Sequence, residues 1–435
     1  MSFLNFKLSL KKALDNQLLR VSSLTAVSTG VKILTSFLLS KVLAVSIGPS
    51  GLALVGQLVN CNNILLSLST GGISYGVTKY FAECQSHSER KEILNVSFTI
   101  VLIFSALVFL VLSIFSEKWS YFIFGSSDYV DVVILMGGSV ILYSYNNIVL
   151  AAINGLKLFR HYVKLNIINS ILGLLITLIL LYFFELKGVL IATVTYQSFV
   201  FFATLFYVKQ VRFFPFSFSS LAVKSVLVKK LIAFSLMSVF SMIIVSLVQI
   251  LIRTKITETI SLNSAGIWEA LNRLSSTYLL FATTSISAYY LPKLSEEKNE
   301  LVVWDVIVNS CRTMLPLVLG ACLSIYFSRD LIISLLFDSS FMEMRDLFVL
   351  QITGDFFKIF SWMFAFVMWA KRWTRLFIAT EFIFSISYLV LCQILISYES
   401  NLNGYVAAYA INYFIYTVTM FWIVKKRLYA NSVAR

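Results

Sequence analysis

The sequence predicts an all-α polytopic membrane protein with twelve transmembrane helices. They are arranged as two six-helix lobes related by an axis along the membrane normal. Three observations carry that reading. Hydrophobic residues make up 59% of the 435 and charged residues only 13%, with a mean hydropathy of +0.86; soluble domains carry roughly 25% charge. The apolar segments are long, not the weak ten-residue alternations of a transmembrane barrel. Several landmarks also recur about 215 residues apart, so the chain reads as two homologous halves.

The spans fall at 20–46, 52–82, 92–116, 130–153, 164–184, 187–208, 231–252, 264–290, 303–327, 346–369, 373–397 and 402–424. Residues 1–17 read as a basic amphipathic lead-in with no cleavable signal, because the first apolar segment continues past Lys32. The repeat pairs Gly51 with Gly266, Lys79 with Lys293, Lys157 with Lys371, and Gly188 with Gly404. Six spans per half is an even number, so both halves start on the same side. The predicted domains are 1–208, a cytoplasmic linker 209–230, and 231–435, with a substrate site between the halves.

The net charge of +14 from 35 basic and 21 acidic residues is a topology signal and points to no nucleic acid. Segments assigned to the inside hold 23 of the basic residues, and the alternate loops hold six: Lys118, Lys187, Arg253, Lys255, Arg329 and Arg345. That bias places both termini in the cytoplasm. Six further basic residues lie inside spans: Lys32, Lys41, Lys79, Arg273, Arg312 and Lys358. Lys41 and Lys79 sit near span ends and can snorkel. Against lipid, the other four would cost on the order of 10–14 kcal/mol, comparable with a whole folding stability of about 5–15 kcal/mol. They are expected to face one another, acids, or a watery interior.

The stretch from Gly266 to Lys293 concentrates this tension. Glu269 and Arg273 are four residues apart on one helical face and can pair. They are either a structural ion pair or a polar wall of a transport cavity. In the first span Thr25, Ser28, Thr29, Lys32 and Ser36 share a face. The second ends in Gly71-Gly72-Ile73-Ser74-Tyr75-Gly76, whose glycines predict a bent or closely packed helix. Gly72–Gly76 matches a G-x-S-x-G elbow, but no strand precedes it and no histidine lies at membrane depth, so a catalytic serine is rejected. Asn146, Asn147, Asn166 and Asn169 read as helix-packing contacts or sugar contacts. Pro316 predicts a kink in the ninth span. Gln351, Asp355 and Lys358 share a face of the tenth, where Asp355 and Lys358 either neutralise each other or serve a cavity. The run Leu331–Phe337 predicts a short interfacial helix.

The five cysteines show no paired spacing, and His87 and His161 fall in loops, so no metal site is expected. No phosphate loop or nucleotide fingerprint appears. No catalytic residues and no cofactors are expected.

The ordered pieces Lys41-Val42-Leu43-Ala44-Val45-Ser46-Ile47-Gly48-Pro49-Ser50-Gly51, Gly76-Val77-Thr78-Lys79-Tyr80, Gly266-Ile267-Trp268, Tyr290-Leu291-Pro292-Lys293, Met344-Arg345-Asp346-Leu347-Phe348 and Gly354-Asp355-Phe356-Phe357-Lys358 span the chain. They resemble the Wzx-type flippases of the multidrug/oligosaccharidyl-lipid/polysaccharide (MOP) exporter superfamily. The O-antigen translocases and enterobacterial common antigen lipid III flippases are the nearest match. The resemblance implies alternating access and movement of an undecaprenyl-pyrophosphate-linked oligosaccharide to the periplasmic face. Where that family often has an acid shortly after Trp268, this chain has Ser276.

On this reading Lys32, Lys41, Lys79, Arg273, Arg312 and Lys358 are candidate substrate contacts, since arginine and lysine suit a pyrophosphate. Glu269 and Asp355 are candidate ion-coupling or ion-pair residues. Expected partners are the lipid-linked glycan and membrane lipid, with glycan polymerase and chain-length proteins as further candidates, and the expected state is a monomer. Two other readings remain. A cation-coupled drug antiporter would want acids in the first six spans, which carry none at depth. A membrane polymerase or ligase would want a larger periplasmic loop than any present.

Overall fold

The computed structural model describes residues 17–84, 86–209, 227–228, 231, 236–297, 299–398 and 401–433. The lead-in before residue 17, most of the linker 209–230, and Arg435 lie outside them. Among the described residues there are thirteen α-helices and no strand. In chain order these are α1 Gln17–Thr70, α2 Ser74–Glu83, α3 His87–Ile114, α4 Ser116–Phe124, α5 Val130–Gly155, α6 Phe159–Lys209 and α7 Leu236–Thr259. They continue with α8 Leu262–Glu296, α9 Glu300–Phe327, α10 Arg329–Leu336, α11 Met344–Ala370, α12 Thr374–Tyr398 and α13 Leu402–Val433.

Nine of these are long and apolar enough to cross a membrane. Two of the nine are double. α1 breaks at Gly48, whose φ of 62° lies in the left-handed region, and Pro49 follows inside the helix; a proline suits the first turn of a new segment, where its missing N–H is no loss. α6 breaks at Glu185. α8 adds a further segment of 35 residues, rich in Ser, Thr and Tyr and not among the nine. Twelve membrane-length segments result.

Several sequence-based ends shift. The second span does not run to 82. It stops at Thr70, because Gly71 and Gly72 both take positive φ, and α2 starts afresh at Ser74. The seventh runs to Thr259, so Arg253, read from sequence as a loop cation, is inside helix α7. The apolar run after residue 330 forms α10. There the Arg345 guanidinium beside Asp330 (Nε–Oδ1 2.5 Å) holds that carboxyl below its ordinary value.

Two helix ends share one backbone closure. Lys157 and Arg372, 215 residues apart, both take φ of 56° just after α5 and α11. Each is followed by the same closing hydrogen bond, from Leu158 N to Ile153 O (3.2 Å) and from Trp373 N to Met368 O (2.9 Å). This six-residue closure of a helix end normally uses glycine in the left-handed position; here both halves tolerate a basic residue instead.

The chain divides into two compact units. One comprises residues up to Thr35 with Asn62–Val239; the other comprises Ser36–Cys61 with Phe240 onward. In the first, α2, α3, α5 and α6 enclose a core that includes Val77, Phe81, Leu94, Val101, Ile148 and Ala152. α2 and α5 touch backbone to backbone at Gly155, where a Cβ would lie 2.5 Å from Thr78 O. Thr78 Oγ1 donates to Ala151 O at 3.0 Å beside it. In the second unit, residues 36–61 pack on α7 and α8. A Cβ on Gly266 would fall 1.7 Å from Pro49 O, so only glycine permits this approach.

Candidate functional site

The second unit holds most of the charge at membrane depth, in two networks. The first is built on α8. Glu269 accepts a very short hydrogen bond from Arg253 Nη2, while Arg273 Nε stands 4.0 Å from its other oxygen. The expected i,i+4 pair is therefore the weaker arm, and the principal partner of Glu269 is Arg253, only 3% exposed. Arg253 Nη1 also donates to Gln57 Oε1 at 2.9 Å, and its guanidinium lies 5.5 Å from the Trp268 ring centre. Gln57 Nε2 in turn donates to Thr254 Oγ1 at 3.2 Å. Gly56 makes room for this, since a Cβ there would lie 2.6 Å from a Glu269 carboxylate oxygen. A buried charge is tolerated when paired and hydrogen-bonded, and this one is held from three helical segments.

The second network is built on α11. Asp355 is fully buried. Its carboxylate accepts from Ser275 Oγ (2.7 Å), from Tyr409 Oη (2.7 Å), from Gln351 Nε2 (3.4 Å) and, in a very short bond, from Tyr278 Oη. Neutral donors from α8, α11 and α13 thus satisfy it. Among the described residues no ion pair joins Asp355 to Lys358, one turn on. Lys358 Nζ sits instead over the rings of Trp362, Tyr409 and Tyr413, at 5.4, 5.3 and 5.1 Å from their centres. Rings hold a cation through their quadrupole and leave its N–H donors available. The Lys358 ammonium is thus half-buried and caged by rings, with the Asp355 and Glu381 carboxylates within electrostatic reach.

The other predicted cations belong to neither network. Lys41 and Arg312 belong to the same unit and are exposed. Lys32 and Lys79 belong to the first unit. Lys32 is exposed, and Lys79 is 3.7 Å from Glu83 on its own helix.

Sequence reasoning missed several participants, Ser275, Tyr409 and Thr254 among them. Arg253 was lost because the apolar run ends before it. Gln57 and Tyr278 carry no charge to flag them. Glu381 on α12 was overlooked inside an apolar span; Tyr416 Oη donates to it at 3.3 Å. One available signal was the spacing Tyr405, Tyr409, Tyr413 and Tyr416, a hydroxyl-bearing stripe on one helical face.

The helical architecture and the membrane-length apolar helices define a multi-pass membrane protein. Solved structures of a multidrug-resistance MATE transporter of the MOP superfamily superpose on it. The inward-facing form matches with a TM-score of 0.77 at 13% identity, covering 94% of this chain and 95% of that one. The outward-facing form matches with a TM-score of 0.71 at 14% identity, covering 95% and 96%. Residues 18–298 match the model of the polysaccharide biosynthesis protein family, and the chain belongs to that family. It is similar to the lipid III flippases of Escherichia coli K12 and Shigella flexneri, each 29% identical over 400 residues, covering 92% of this chain and 96% of the relative.

Proposed function

We propose that this protein is a non-catalytic flippase. It moves an undecaprenyl-pyrophosphate-linked oligosaccharide from the cytoplasmic to the periplasmic face of the bacterial inner membrane, by alternating access coupled to an ion gradient. The near-full-length similarity to lipid III flippases supports the substrate class. The observation in this chain that carries the reading is Lys358. It is an ammonium on a membrane-length helix, held over rings and in no ion pair with the adjacent Asp355, whose carboxylate is hydrogen-bonded to Tyr409. A pyrophosphate crossing the hydrocarbon needs such a partner, because an unpaired charge there is costly. Arg273, half-buried and only loosely tied to Glu269, is the second head-group contact, with Lys32, Lys41, Lys79 and Arg312 as further contacts along the path. Asp355 and Glu269 hold these helices in register. Both termini are cytoplasmic, on the basic bias of the loops.

The test is transport by Lys358→Ala and Lys358→Arg, each normalised to membrane abundance. The reading expects the alanine variant to be present but slow, with arginine retaining part of the rate by keeping the charge. Normal transport by Lys358→Ala at normal abundance would overturn Lys358 as a head-group residue.

A further inference from the structure

Two apolar grooves on the second unit join end to end. One of about 410 Å³ starts at Trp304, and one of about 390 Å³ ends at Tyr326; Phe356 and Phe357 line both. On α9 the lining residues Trp304, Val308, Leu315, Leu319, Leu323 and Tyr326 follow helical spacing and form a single stripe. From Trp304 to Tyr326 the stripe rises 22 residue steps, about 33 Å at 1.5 Å per residue, against a hydrocarbon core of about 30 Å. Its floor is a run of ring contacts: Phe360–Phe356 at 5.0 Å, Phe356–Phe357 at 5.3 Å and Phe357–Phe414 at 5.0 Å. Val308, Leu315, Leu319 and Leu323 are all exposed along it.

Each mouth carries a cation. Lys425 Nζ lies 5.8 Å from the Trp304 ring centre at one end. Arg329 stacks on Tyr326 at 4.2 Å at the other, fixed by its hydrogen bond to Tyr326 O at 2.9 Å. Midway, Arg312 is exposed four residues after Val308 and three before Leu315, at the edge of the stripe.

We propose that this groove holds the polyisoprenoid tail of the lipid-linked substrate, a role that rests on the flippase reading above. Bilayer tails are as apolar as leucine, so burial alone gives no preference for one chain over another. Length and charge decide. A phospholipid acyl chain fills one leaflet, roughly half of a 30 Å core, so two lipids from opposite leaflets are needed to line the groove. A long isoprenoid fills it from mouth to mouth. Its anionic head meets Lys425 when it lies at one face and Arg329 when it lies at the other. The tail keeps its seat while the head changes sides.

The experiment uses the full chain in nanodiscs of phosphatidylethanolamine and phosphatidylglycerol, with undecaprenyl pyrophosphate as probe. A benzophenone amino acid replaces Leu315, Leu323 or, as a control on the outer face of α12, Ile383. Mass spectrometry is expected to find the isoprenoid on positions 315 and 323 several-fold over 383, and the Leu319→Trp substitution to lower capture at both. Phospholipid alone at the groove positions, or equal isoprenoid capture at 383, would overturn the proposal. Transport is read separately with a native and a short-tailed lipid-linked glycan. Leu319→Trp should slow the native substrate and spare the short one; equal slowing of both would count against the groove. Isoprenoid capture without transport of either glycan by the unmodified protein would reject the flippase reading and leave the groove standing.

Discussion

Removing Arg253 tests the α8 network directly. In Arg253→Met the Glu269 carboxylate, 12% exposed, loses its shortest partner and keeps only Arg273 at 4.0 Å. Gln57 Oε1 loses its donor as well. Breaking a buried pair from one side costs about 3–5 kcal/mol, a large fraction of a stability of roughly 5–15 kcal/mol. Arg273 can swing closer, so the expected loss lies near the low end, about 3 kcal/mol. Unfolding titration in mixed micelles reads it. Adding Glu269→Gln to Arg253→Met removes the orphaned charge and should recover a good part of the loss, giving a coupling of about 1–3 kcal/mol in the double-mutant cycle. Two single substitutions that each cost under about 0.5 kcal/mol and simply add would refute a buried ionic clamp.

Three more outcomes follow from the same geometry. Gly266→Ala should cost more than about 1–3 kcal/mol, because its Cβ would strike the Pro49 backbone; Gly320→Ala, with open space at its Cβ, should stabilise by roughly 0.4–1 kcal/mol. Equal stability of the two variants would show that residues 36–61 do not pack on α8 as described. Asp355→Asn puts an amide N–H₂ among the hydroxyls of Ser275, Tyr278 and Tyr409, and should cost about 1–3 kcal/mol in the same titration; an unchanged midpoint would show that those hydroxyls do not depend on the carboxylate. A reporter fused at the C-terminus should be active only in its cytoplasmic form, and periplasmic activity would reverse the assigned orientation.

The fold was legible in the sequence where the bilayer dictates it. Apolar length sets the segments; the left-handed turns at Lys157 and Arg372 lie 215 residues apart, close to the spacing of Lys157 and Lys371. Helix ends were less legible. Gly71 and Gly72 announced a bend, yet only their positive φ values show a full break. Arg253 was misread because charge at the end of an apolar run looks like a loop, while the partners that bury it, Gln57 and Glu269, lie elsewhere in the chain. Glu269–Arg273 was a local inference from i,i+4 spacing; the contact that dominates is long-range, and periodicity carries no information about which helices meet. The same limit hid the hydroxyl cage of Asp355, whose donors come from three helices. The ring contacts of Phe356, Phe357 and Phe360 under the α9 stripe depend on α9, α11 and α13 meeting along their length, which local spacing does not report.

The most direct test of the account is translocation by the purified full chain in proteoliposomes, with an undecaprenyl-pyrophosphate-linked oligosaccharide loaded in one leaflet and an ion gradient across the membrane. The account predicts that the glycan becomes accessible to an impermeant glycosidase on the opposite side, faster with the gradient than without, and slowly for Lys358→Ala at equal protein. Glycan that stays on its loading side with unmodified, folded protein in the membrane would contradict it.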